Sequence, residues 1–220
     1  MTRKPKPVLD IPLSPNLSYE RALWEDNKQW IAGLDEAGRG AWAGPVVAAV
    51  VIFPPIANLE QNLFGVRDSK QMNVHLREFW AGIIREHAQA WGVGSAEHSE
   101  IDQLGILPAT RLAMQRALGH LFESPDHLLI DALLLPDLNS PQTALIKGDQ
   151  RSLSIAAASI LAKTTRDALM RQEDNYYPVY GFSRHKGYGT RFHQQALAEN
   201  GPCAIHRMSF RPLRELSAIS

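Results

Sequence analysis

Trp30-Ile-Ala-Gly-Leu-Asp-Glu36, then Ala37-Gly-Arg-Gly40, then Pro45-Val-Val-Ala-Ala-Val-Val-Ile-Phe53, is the stretch that decides the fold. Its first part is a short apolar run closed by two acids. Its last part is a continuous β-branched run, the pattern of a strand buried on both faces. Two strands joined through a glycine-rich turn put Asp35 and Glu36 at a strand end. In a regular strand adjacent side chains leave opposite faces. Both acids therefore serve one site only if the strand ends or bulges, and Ala37-Gly38 is where that is expected.

Outward from this stretch, helical and strand patterns alternate. Upstream, Ser18 to Lys28 reads as a short helix, and residues 1–19, with Pro5, Pro7, Pro12 and Pro15, read as an extended tail. Downstream, Leu76, Phe79, Ile83, Ile84 and Ala88 recur at helical spacing between His75 and Trp91. A strand is expected from Trp91 to Glu97, and a helix from Pro108 to Phe122 with proline in its first turn. Strands follow at His127–Asp131 and Thr143–Lys147. A long helix is expected from Ser152 to Gln172, its centre built of small residues that let it lie close to the sheet. A last helix spans Arg191 to Asn200. Interleaved strands and helices predict an α/β fold, a mixed sheet flanked by helices.

Three apolar runs end in acids: Asp35-Glu36, Asp131 and, in Lys147-Gly-Asp149, Asp149. Carboxylates that converge at one sheet edge repel one another unless a divalent cation holds them. An all-oxygen set favours Mg²⁺ or Mn²⁺ and, with them, phosphoryl transfer. Asp is also an ordinary strand-closing residue. The residues alone leave the two readings side by side. Gly38-Arg39-Gly40 suits a close backbone approach to a phosphate ester, and equally a tight hairpin. Tyr188, in Arg184-His-Lys-Gly-Tyr-Gly-Thr190, suits stacking on a base or sugar, and equally a core ring.

The 220 residues suffice for one domain with a small appendage, and 45% of them are hydrophobic. The single cysteine, Cys203, excludes an internal disulfide, and no run of 18 apolar residues exists to span a membrane. With no secretory signal pattern, a cytoplasmic monomer is expected. The net charge is zero, yet from Tyr176 to Arg214 six cations (Arg184, Lys186, Arg191, Arg207, Arg211 and Arg214) face one acid, Glu199. Such a strip can track phosphates on a neutral protein.

From Trp30 to Pro212 the chain resembles the ribonuclease HII family, the type 2 branch of the ribonucleases H. The matching segments are Gly33 to Gly40 with Ala43-Gly-Pro-Val46, Asp68-Ser-Lys70, Ser154 to Lys163, Gly181 to Thr190, and Gly201-Pro-Cys203 with His206-Arg-Met-Ser-Phe210. The resemblance implies a ribonuclease H-like catalytic domain over 20–175, with a small helical substrate-binding element over 176–220. It implies a two-metal cluster (Mg²⁺ or Mn²⁺) on Asp35, Glu36, Asp131 and Asp149. Gly38, Arg39 and Gly40 would read the ribose 2′-hydroxyl, and Tyr188 would pack on the following sugar. Lys70 and Lys186 would touch phosphates. Asp167, on a helix away from the strand ends, is expected to be structural. The partners implied are RNA–DNA hybrids and duplex DNA carrying embedded ribonucleotides, cut on the 5′ side to leave 5′-phosphate and 3′-hydroxyl ends. Gly105 departs from the Asn common at that place. The end Leu213 to Ser220 lacks the paired aromatics of a sliding-clamp motif, so that partner is not expected.

Overall fold

A computed structural model describes residues 11–217. The elements, in chain order, are α1 (Ser18–Glu25), β1 (Ile31–Ala37), β2 (Val46–Ile52), α2 (Leu59–Asn62), α3 (Val74–His87), β3 (Ala90–Ala96), α4 (His98–Leu104) and α5 (Ile106–Leu118). They continue with β4 (His127–Asp131), β5 (Gln142–Leu145), α6 (Leu153–Tyr176), α7 (Phe182–His185), α8 (Arg191–Asn200) and α9 (Arg211–Ser217). The five strands form one sheet in the order β3-β2-β1-β4-β5. β1 runs antiparallel to β2, and β2 to β3; β1, β4 and β5 are parallel to one another. The parallel part brings three strand ends to the same edge.

Every residue of β2 is buried, as its unbroken apolar run requires. Each Val or Ile there contributes about 1.5–3 kcal/mol on burial. One face of the sheet packs on α6 with α3, through Ala49, Val51, Ala157, Ile160 and Leu161. The other packs on α5, through Ala48, Val50, Ala113 and Ala117. The small residues of α6 do what their size allows. At Gly33 a Cβ would stand 2.3 Å from the Ser154 backbone, so helix and strand are in direct backbone contact. Ser152 caps α6 by accepting from the Ile155 N–H.

Of the stretch read as an extended tail, the end is docked on the domain. Asn16 exchanges backbone hydrogen bonds with Arg151 and Leu153, and Leu17 is buried against the α6 face. Residues 1–10 lie outside the described part. Glu20 of α1 is buried and accepts from the Ser152 and Ser154 hydroxyls and the Ser154 N–H, which ties α1 to the start of α6. A third cluster, around Tyr180, Phe182, Met170 and Leu197, joins the C-terminal helices to the far end of α6. Among the described residues no helix is long and apolar enough to cross a membrane.

Candidate active site

Asp35 lies on β1, Asp131 is the last residue of β4, and Asp149 sits in a 3-10 turn (Gly148–Gln150) just after β5. β1 pairs one-for-one with β2 through Ala37, without a bulge. Asp35 and Glu36 therefore leave the strand on opposite sides, and the strand ends only at Ala37. Glu36 nonetheless lines the same cleft, and two residues on Gly38 turns the chain at φ +97°. Residues beside the other two acids are also left-handed: Ala132 at φ 48° and Lys147 at φ 55°. Non-glycine residues rarely adopt that conformation, and such strain gathers at functional sites.

Asp35 is only 3% exposed. Burial, with the Glu36 and Asp131 charges nearby, holds its carboxyl well above the usual range. The Glu36 N–H, donating to Asp35 Oδ1 at 2.7 Å, only partly offsets this. Burial likewise raises Glu36 against the opposing pull of Arg39, whose Nη1 is 3.1 Å from Oε1. Glu36 Oε2 is buried and has no hydrogen-bond partner among the described residues. Asp131, raised by burial, accepts from the Gly148 N–H at 2.7 Å. Asp149 is raised by burial and by Asp68 and Asp131, with Lys70 Nζ 3.5 Å away. Partial burial pulls Lys70 down, but Asp149, Asp68 and Asp35 outweigh it and leave the ammonium above its ordinary value.

Among the described residues no three of His, Cys, Asp and Glu already stand in ligating geometry. Glu36, Asp131 and Asp149 are instead partnered by Arg39, the Gly148 N–H and Lys70 respectively. The donor set nonetheless fits a hard divalent cation. It is all carboxylate, the Asp131 charge helps to raise Asp35, Glu36 and Asp149, and one buried oxygen lacks a partner among the described residues.

A cleft of about 360 Å³ is lined by Asp35, Glu36 and Asp131 together with Gly38, Arg39, Gly40, Lys70 and Tyr188. A model of ribonuclease HII matches residues 32–212. A ribonuclease HII from Synechococcus sp. is 53% identical over 96% of this chain and 94% of its own length.

The chain belongs to the ribonuclease HII family.

It is thus a metal-dependent endoribonuclease, of the kind that cuts the RNA strand of RNA–DNA hybrids. Its fold is that of ribonuclease H2 from Pyrococcus horikoshii OT3 (TM-score 0.72, 24% identity, 86% of this chain and 97% of that one). It is also that of Bst-RNase HIII in complex with Mn²⁺ (TM-score 0.64, 19% identity, 87% of this chain and 70% of that one).

Not every residue expected in this ribonuclease HII site reaches the cleft. Asp149 stands beside it, linked through Lys70. Lys186 lies outside its lining, with Nζ turned back to the Ser183 carbonyl. Arg207 leaves the basic strip altogether: it is fully buried, and burial brings its guanidinium down to about 9. Its Nε donates to the Gly44 carbonyl at 2.9 Å and its Nη1 to the Arg39 carbonyl at 3.0 Å. Arg166, also fully buried, donates to the carbonyls of Pro45, Ala43 and Lys186. Two buried arginines thus clamp the 38–45 loop to the C-terminal element, because carbonyls without partners there need donors. Asp167 pairs with Lys163 at 2.6 Å and Arg77 at 3.2 Å, away from the other acids.

Sequence reasoning missed Ser159 and Lys163, which also line the cleft. Ser159 donates to Asp35 and opposes the rise in its pKa. The available signal was their spacing: four residues apart on α6, they share one face.

Proposed function

We propose that the chain nicks duplex DNA on the 5′ side of an embedded ribonucleotide, as well as cutting hybrids, and leaves 5′-phosphate and 3′-hydroxyl ends. Asp35, Glu36, Asp131 and Asp149 would hold two divalent ions, Mg²⁺ or Mn²⁺; the Mn²⁺ complex of the ribonuclease HIII supports metal use by this fold. When bound, the ions supply Lewis-acid stabilisation of charge on the phosphoryl group. The protein's own part is to hold four carboxylates ready and to select the sugar.

The observation that carries the reading is the meeting of acids, Gly38–Gly40 and Tyr188 in one cleft. At Gly40 a Cβ would meet nothing within 4 Å, so the backbone there is open to a close ligand. A ribose 2′-hydroxyl, both donor and acceptor, is what a backbone amide and carbonyl can tell from deoxyribose. Tyr188, 37% exposed, lines the cleft, and Arg166 and Lys163 lie over its ring at 5.5 and 5.7 Å from the centre; the exposed part is what a sugar would meet. Arg39, which here pairs with Glu36, would be available to a phosphate were that carboxylate held by a cation. Lys70 and, from the rim, Lys186 contact flanking phosphates, and the element from 176 onward holds the duplex.

The test is a labelled DNA duplex with one ribonucleotide, beside its all-deoxy twin, in Mg²⁺ and in EDTA. The reading requires a nick 5′ to the ribonucleotide only with Mg²⁺ and only with the 2′-hydroxyl. Cleavage of long hybrids but not of this duplex would discard the roles given to Gly38–Gly40 and Tyr188.

A further inference from the structure

Three imidazoles of the C-terminal element have no part in the function above. His193 and His206 are 0% and 1% exposed, and their Nε2 atoms stand 3.0 Å apart. Two facing ring nitrogens share one proton, so one donates and the other accepts. The outer nitrogens decide which. His206 Nδ1 is 2.9 Å from the Cys203 N–H, closer than the Cys203 thiol at 3.1 Å or carbonyl at 3.3 Å, so it accepts and Nε2 carries the proton. His193 Nδ1 is 3.1 Å from the Tyr188 carbonyl, which can only accept, so Nδ1 carries the proton and Nε2 is bare.

The two assignments agree, and a one-way chain runs from Cys203 through His206 and His193 to Tyr188. Burial holds both imidazoles down to about 4, which keeps them neutral and the chain intact near pH 7.

His185 braces the same loop from its other side. Its ring stacks on His193 with centroids 4.7 Å apart, its Nδ1 accepts from the Gly187 N–H at 3.2 Å, and its Nε2 lies 2.7 Å from the Tyr180 carbonyl. The Tyr188 carbonyl also accepts from the Thr190 N–H at 2.8 Å. Backbone on both sides of the Tyr188 ring is thereby fixed, while the ring itself is partly exposed at the cleft.

We propose that His193 is a positioning residue for Tyr188, and that the chain from Cys203 through His206 and His193 sets the cleft's selectivity for a ribonucleotide joined to deoxyribose. The inference rests on the reading of Tyr188 given above. His193 touches no substrate; it holds the residue that does. A bond at the root of a side chain controls where its tip lies, and small misplacements cost large factors in rate.

The two amide substitutions of His193 separate positioning from packing. In His193→Asn the amide nitrogen overlays Nδ1 and keeps the bond to Tyr188. In His193→Gln the amide overlays Nε2 and keeps the bond to His206 only. The readout is the ratio of kcat/KM on a single-ribonucleotide duplex to that on an all-RNA hybrid, with Tm measured alongside and Tyr188→Ala as reference. Both variants should lose similar Tm, since each gives up one bond. His193→Asn should keep the ratio within about twofold of the parent, and His193→Gln should fall about tenfold, towards Tyr188→Ala. Equal ratios in the two amide variants, whether both fallen or both unchanged, overturn the proposal. An unchanged ratio in Tyr188→Ala overturns the reading of Tyr188, and the proposal falls with it.

Discussion

Gly38 lies so close against Arg166 that a Cβ on it would stand 1.9 Å from the guanidinium Nε. Its φ of +97° is one that L side chains rarely adopt, so Gly38→Ala is opposed twice. Arg166 would have to give up carbonyls it holds in a buried place, at a cost of about 3 kcal/mol or more. A large fall in Tm is expected, with activity lost alongside. Gly40→Ala is the contrasting case, since a Cβ there meets nothing. Its Tm should change by about 0.5 kcal/mol equivalent or less. Its kcat/KM on a single-ribonucleotide duplex should still fall at least about tenfold if substrate backbone approaches there. Unchanged kinetics in Gly40→Ala would place the sugar elsewhere.

Asp35→Asn removes the deepest of the repelling charges. In EDTA near pH 7.5 the variant should be more stable than the parent, since the ionised Asp35 is what burial and its neighbours oppose, although hydrolysis is abolished. Mg²⁺ should raise the parent's Tm and leave the variant's almost unmoved. Thermal melts of both proteins, with and without Mg²⁺, check this. A parent that does not respond to saturating metal contradicts the account.

The pH dependence of stability has two parts of opposite sign. Asp35, Glu36, Asp131, Asp149 and Glu20 have raised folded pKa values, so each contributes stability that is present at low pH and lost as pH rises through the folded value. His193 and His206 are lowered to about 4. Their contribution is present above the unfolded value of about 6.5 and lost as pH falls towards 4. Metal-free protein should therefore be most stable in mild acid. Bound Mg²⁺ favours ionised carboxylates and moves the optimum upward. Melting curves across pH 4–9 in EDTA and in Mg²⁺ give the comparison; coincident optima would refute it.

Ala132 holds φ 48° immediately after Asp131. Ala132→Gly relieves that conformation and should stabilise the chain by about 1 kcal/mol. Denaturant midpoints measure the change, and a destabilised variant would show that the alanine carries no strain.

Much of this was legible in the sequence because it lies in local patterns. The run Pro45 to Phe53 became a wholly buried strand, and Arg191–Asn200 is a helix with the expected bounds. The small residues of α6 marked its close contact with β1. What stayed hidden depends on long-range geometry. Arg207 reads as part of a basic strip, and only the fold shows that its guanidinium serves the Gly44 and Arg39 carbonyls. Prolines hid the docking of Leu17. That Asp35 and Glu36 line one cleft although β1 has no bulge is likewise something periodicity does not report.

We propose that four acids hold the ions on which hydrolysis depends. Titrating Mn²⁺ into metal-free protein bound to a hybrid, while following free Mn²⁺ by electron paramagnetic resonance, counts the ions directly. Two ions per chain are expected, fewer in Asp35→Asn, with cleavage by the parent rising as the second ion binds. Equal binding by parent and Asp35→Asn, or cleavage with no Mn²⁺ bound and EDTA present, would contradict it.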